Sequence, residues 1–131
     1  MSENGSILSF TDLRVWQEGH KLVLMVYRET KHFPDEERFG LTSQVRRSAV
    51  SVTSNIAEGF GRFSYKEKLQ FYHTSLGSLF ELQNQLIIAR DIGYLSQKVF
   101  NEMAVKAIDV HKLLNAFISK TRLHIKSNAK S

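Results

Sequence analysis

Two carboxylates, Glu58 and Glu81, could act as a general acid and a general base if the segments carrying them faced each other. Their separation is not set by sequence, and the competing reading is that each is a structural acid bonded to Arg47 or to amide groups. Metal chemistry would need converging ligands. A di-iron bundle carries a Glu-x-x-His pair on each of two helices. This chain has one such pair, Glu29 to His32, and His20, His73, His111 and His124 are scattered with no His-x-x-x-His spacing. The absence of cysteine removes thiolate ligands, disulfides and a cysteine nucleophile together. Gly59-Phe60-Gly61 is a fragment of a glycine-rich loop, but it follows a helical pattern and lacks the Lys-Ser/Thr of a phosphate cradle. It reads as a helix stop. No catalytic residue, metal or cofactor is expected.

Binding residues are easier to find. At ~100° per residue, Arg47, Ser51, Asn55 and Glu58 fall within about 60° of Gln44 on a helical wheel, beside an apolar stripe of Leu41, Val45, Ala49, Val52 and Ile56. This polar stripe has two readings. One is a buried or interfacial hydrogen-bond network that fixes helix register, joined by Glu81. The other is a polar ligand groove. Arg46 points away from the stripe and is expected to form a basic edge with Arg62, Lys66 and Lys68. Phe60, Phe63 and Tyr65 interleave with these cations, as aromatics do where single strands stack their bases.

Charge is unevenly placed along the chain. The formal net charge is +5, and residues 112–131 alone supply Lys112, Lys120, Arg122, Lys126 and Lys130 with no acid. Such a segment attracts polyanions without naming one. Lys120, Arg122, Lys126 and Lys130 therefore join the candidate nucleic-acid contacts, against the plainer reading of a solvated tail.

Helices must position all these residues. With one proline and almost no apolar/polar alternation, the dominant period is helical. A first helix is expected from about Thr11 or Asp12 to Lys31, stopped by Pro34, and a second from about Leu41 to Gly59. Ser64 and Glu67 have capping-box spacing for a third helix that runs to Asp91, where Gly93 gives a left-handed exit. Ser96 caps a fourth helix reaching about Ile125. Residues 1–9 and 127–131 are expected to fray. The implied fold is all-α: an antiparallel up-down four-helix bundle in a single domain, with its core over about residues 10–125.

At 131 residues, 42% hydrophobic and 24% charged, the composition is that of one globular domain. The apolar runs Leu22 to Tyr27 and Leu86 to Ala89 are far short of the ~20 residues that span a bilayer. Residues 1–9 lack the basic and apolar regions of a signal peptide. A cytoplasmic protein with no membrane partner is expected. The third helix carries apolar residues over about half its circumference, more than the ~100° stripe a monomer needs, which implies a subunit interface.

Several segments also resemble a known family. Phe10-Thr-Asp-Leu-Arg-Val-Trp-Gln17, Glu37-Arg-Phe-Gly-Leu-Thr-Ser-Gln-Val-Arg-Arg-Ser-Ala-Val-Ser51, Ser54-Asn-Ile-Ala-Glu-Gly59, Leu76-Gly-Ser-Leu-Phe-Glu-Leu82 and Ile92-Gly-Tyr-Leu95 are similar to the bacterial 23S rRNA intervening-sequence proteins. The resemblance covers about residues 10–120. It implies an up-down four-helix bundle assembled as a ring-shaped homopentamer, without enzymatic activity. Related accessory proteins of diversity-generating retroelements are basic pentamers, so the resemblance also implies RNA or single-stranded DNA, and a reverse transcriptase or another protein, as partners. A protein-binding scaffold with no nucleic-acid role is the alternative. The family motif maps to Gln44, Arg47, Ser51, Asn55, Glu58, Gly59, Gly77, Ser78 and Glu81. Thr53 stands where members usually carry a mid-helix proline, so the second helix is expected to lack that kink.

Overall fold

Ser9 opens the first helical turn with a reciprocal cap. Its hydroxyl accepts from the first turn while the Asp12 carboxylate accepts from the Ser9 amide at 3.1 Å, closing a capping box around a short 3-10 turn, Phe10–Asp12. Leu13 is extended, so the first helix begins three residues later than the sequence pattern suggests. In the computed structural model, which describes residues 6–130 and side chains as far as Ser127, four helices follow. They are α1 (Arg14–Thr30), α2 (Leu41–Phe60), α3 (Tyr65–Asp91) and α4 (Gln97–Lys130). Each packs on the next, and α4 returns against α1. This is the expected antiparallel up-down bundle.

The ends are tied by side chains. At one end the Tyr94 hydroxyl donates to Glu37 at 2.9 Å and its ring meets Phe33. Ser96 caps α4 through the Val99 amide, and Gly93 turns the chain at φ 89°, as expected of a left-handed exit. At the α3 start, Ser64 accepts from the Glu67 amide, but the Glu67 carboxylate takes the Ser64 hydroxyl. The capping box is thus half realised. The far end of the chain also differs from expectation. α4 continues as helix to Lys130 instead of fraying after Ile125. Of the expected frayed ends, residues 1–5 and Ser131 lie outside the described residues.

Val26, Val45, Ile56, Leu79, Leu82, Ala89, Ala107, Val110 and Leu114 form the centre of the core, all fully buried. The Gly59-Phe60-Gly61 stop falls where expected: α2 ends at Phe60 and Gly61 is its C-cap. A Cβ at Gly59 would stand 2.7 Å from the Tyr72 ring and 2.8 Å from Phe71, so the glycine lets α2 and α3 approach. Thr53 packs against Gly19 of α1, its methyl 3.0 Å from where a Gly19 Cβ would be. The Thr53 hydroxyl donates to the Val50 carbonyl, and α2 passes through it as one continuous helix.

The core uses only part of α3. Phe80, Ile87 and Ile88 remain exposed on it, as do Val105 and Ile108 on α4. Between them Leu86, Ile87, Phe100, Ala104 and Ile108 line a shallow apolar groove.

Candidate functional site

The polar residues of α2 separate into a buried part and an exposed part. Three hydrogen-bonded groups knit α2 to α3. The Ser48 hydroxyl lies 2.9 Å from Gln85 Oε1 and 3.1 Å from Glu81 Oε1, and Gln85 Nε2 donates to Glu81 at 3.2 Å. The Ser51 and Ser78 hydroxyls meet at 2.8 Å, and Asn55 Nδ2 donates to the Ser51 carbonyl and hydroxyl. Ser75 donates to the Val52 carbonyl at 2.7 Å. Ser51, Asn55 and Glu81 therefore belong to a structural network, as one of the two readings holds. Ser48, Ser75 and Gln85 are additional members. On α3 their signal was present in the sequence as polar residues at Ser75, Ser78, Glu81 and Gln85 among leucines.

Gln44, Arg47 and Glu58 are not in this network. All three are exposed in the chain. Arg47 and Glu58 lie eleven residues apart on one helix, ~16 Å along its axis. They are not partners. Arg47 Nη2 instead makes a long contact, 3.4 Å, to the Ser43 hydroxyl. Glu58 and Glu81 likewise do not converge as an acid/base pair: Glu81 stands opposite Ser48, ten residues before Glu58.

Arg46 also leaves its expected group. It is sixteen residues, ~24 Å, up α2 from Arg62. Its Nε donates to Thr30 of α1 at 2.9 Å and its guanidinium lies 4.8 Å from the Tyr27 ring centre.

Of the remaining basic residues, Lys68 and Lys120 come together at the opposite end of α2. Tyr65, at the start of α3, stacks on His124 of α4 with centroids 4.8 Å apart. Phe60, Tyr65, Lys68, Lys120 and His124 line one concavity there. Arg122 Nη2 lies 3.2 Å from the His73 ring nitrogen, and Arg62 covers the Phe71 ring at 4.6 Å. Lys66 and Lys126 are exposed. The Lys130 side chain lies outside the described residues. Glu58 and Glu67 are the acids on the neighbouring turns, and Glu67 is engaged by Ser64. Lys68 is half-buried, donates to the Phe60 carbonyl at 2.6 Å, and is held below the usual lysine range by burial. Phe63 is fully exposed at the connecting turn. The geometry gives a concavity in which two lysines, Lys68 and Lys120, stand among aromatic rings.

Among the described residues no three His, Asp or Glu side chains sit close enough to hold a metal ion. No described helix is long and apolar enough to cross a membrane.

The class defined by this fold is a single all-α up-down four-helix bundle in which polar residues of α2 and α3 serve helix pairing. The chain belongs to the 23S rRNA-intervening sequence protein family, whose family model matches residues 11–116. It is also similar in fold to a protein of unknown function from the S23 ribosomal protein family of Bacteroides thetaiotaomicron VPI-5482, solved by crystallography at 1.70 Å resolution. That likeness has a TM-score of 0.75 at 19% identity, covering 80% of this chain and 95% of the other. No curated protein sequence matches this chain significantly.

Proposed function

We propose that this chain is a non-enzymatic interaction protein that assembles as a ring-like homopentamer and binds RNA or single-stranded nucleic acid through its basic end. The observation that carries the binding is the concavity that brings Lys68 and Lys120 together with Phe60, Tyr65 and His124, with Arg62 held on the Phe71 ring of the same helix as Lys68. Two segments far apart in sequence supply these cations. Backbone phosphates need such charges, and bases need such rings.

Assembly is supported by the apolar α3/α4 surface. Phe80, Ile87 and Ile108 are each more than two-fifths exposed, which favours coverage by a second copy. The number five rests on the family likeness. A ring would set identical basic ends side by side, so one strand could engage several at high effective concentration.

Light scattering after gel filtration tests assembly: about 75 kDa is expected, five times the 15.1 kDa chain. Fluorescence anisotropy with a labelled single strand tests binding. Lys120→Glu with Arg62→Glu should abolish it while leaving the mass unchanged. A protein-binding scaffold with no nucleic-acid role is the reading left if the intact ring binds no strand.

A further inference from the structure

The three arginines nearest the other end of α2 face a groove that the basic end does not reach. Tyr27, Arg38, Phe39, Thr42, Arg46 and Arg47 contribute to an open groove of about 720 Å³ along α2, and no carboxylate lines it. None of the three guanidiniums has an ion-pair partner among the described residues. The closest acid in sequence, Glu37, is already engaged by the Leu41 amide and the Tyr94 hydroxyl. Asp35 and Glu36 are exposed on the connector and do not line the groove.

Arg46 is held in place. Its Nε is fixed on Thr30 Oγ1, which in turn donates to the Val26 carbonyl at 2.7 Å, and Tyr27 supports the guanidinium face. This leaves the terminal Nη groups, a bidentate fork for an oxyanion. Arg47 is the next residue along, with one weak contact to Ser43. Phe39 is 88% exposed, with Arg38 at 5.3 Å from its centre. An aromatic ring this exposed in a cationic groove offers a flat face beside an anion site. The groove wall also contains Thr42, 8% exposed, whose buried hydroxyl has no hydrogen-bond partner among the described residues.

Unpaired arginines ask for a dianionic oxyanion such as a phosphate, and the adjoining ring asks for a planar aromatic group. A groove of this volume is within the range that holds small ligands. We propose that this groove binds one nucleotide unit, with its phosphate on Arg46 and Arg47 and its base stacked on Phe39. The unit is either a free mononucleotide or a terminal nucleotide of a strand. The site is separate from the basic end, so it stands or falls independently of the proposed function.

The test is titration calorimetry on the intact protein at ~50 mM salt, with adenosine monophosphate, ribose 5-phosphate and a short oligonucleotide. The mononucleotide should bind about tenfold more tightly than the sugar phosphate, the value of one stacked base. Phe39→Ala should remove that preference, and Arg46→Gln should weaken both ligands. Arg47→Gln, at an exposed position, repeats the test should Arg46→Gln fail to fold. Arg62→Gln should change neither affinity. With the basic end removed by Lys120→Glu and Arg62→Glu, a much tighter oligonucleotide would assign the site to strand ends, and equal affinities would assign it to free nucleotides. Three results would overturn the proposal: no heat with the mononucleotide, equal affinity for nucleotide and sugar phosphate, or affinities unchanged in both arginine variants. A change of assembly mass in Phe39→Ala without nucleotide binding would identify the groove as a subunit contact and also overturn it.

Discussion

Tyr65 and His124 stack face to face, their rings 4.8 Å apart and inclined by 10°. The contact joins the first turn of α3 to the long final stretch of α4. It thereby holds the basic residues around Arg62 to Lys68 against those of 120–126. An aromatic pair of this kind contributes ~0.5–1.5 kcal/mol beyond its buried area. His124→Ala should loosen the end of α4 without touching the core. Hydrogen exchange should read this as faster exchange over residues 120–127, by up to about tenfold, with amides around Val110 and Leu114 unchanged.

The polar network on α2 makes a contrasting pair of mutations informative. Ser48 is buried and faces Glu81 and Gln85, so Ser48→Ala leaves polar groups without a partner and should cost about 1–3 kcal/mol. Arg47 is exposed with no ion pair among the described residues, so Arg47→Ala should stay within about 0.5 kcal/mol. Chemical denaturation of the two variants separates them. Equal destabilisation would return Arg47 to the network that its position on the wheel suggested.

The reasons for that difference show how much the sequence disclosed. Helix number, order, the stops at Pro34 and Gly93 and the starts at Ser64 and Ser96 were legible because each is a local signal. Ser51 and Asn55 were legible as neighbours on one polar face because a helical wheel places polar residues on faces. The partner of each face was not legible. Arg47 and Glu58 share a stripe but stand ~16 Å apart along it, and only the packing of α3 decides that Ser48 is inside and Arg47 outside. Arg46 was misgrouped for the same reason: its fixing by Thr30 and Tyr27 depends on where α1 lies. The stop at Gly59-Phe60-Gly61 was legible, while the close approach of α3 at Gly59 was hidden because both call for glycine.

Gly59→Ala puts a methyl into the Tyr72 and Phe71 side chains and should destabilise by about 1–3 kcal/mol through overpacking. Gly61→Ala is the control, since φ is −79° there and the nearest atom to a new Cβ is 3.6 Å away. A thermal melt should show a clear drop for the first and little change for the second.

Burial pushes the Tyr72 hydroxyl up from 10.0 to about 12. The hydrogen bond to Glu37 raises Tyr94 as well. In both cases the folded protein holds the proton more tightly than the unfolded chain does. The associated stability is fully present below pH 10 and falls as pH rises towards 12. Tyr72→Phe keeps the ring and removes the titration. Its stability should therefore decline less steeply than that of the parent protein over this window, as followed by denaturant unfolding at stepped pH.

The central claim is that the basic end engages backbone phosphates. Its most direct measurement is the affinity of the intact protein for a labelled single strand, by fluorescence anisotropy, between roughly 50 and 200 mM salt. The slope of log K against log salt should be steep, ~0.7 for each phosphate neutralised, and should shrink when residues 120–131 are removed. Absence of binding at the low-salt limit, or an affinity that does not change with salt, would contradict it.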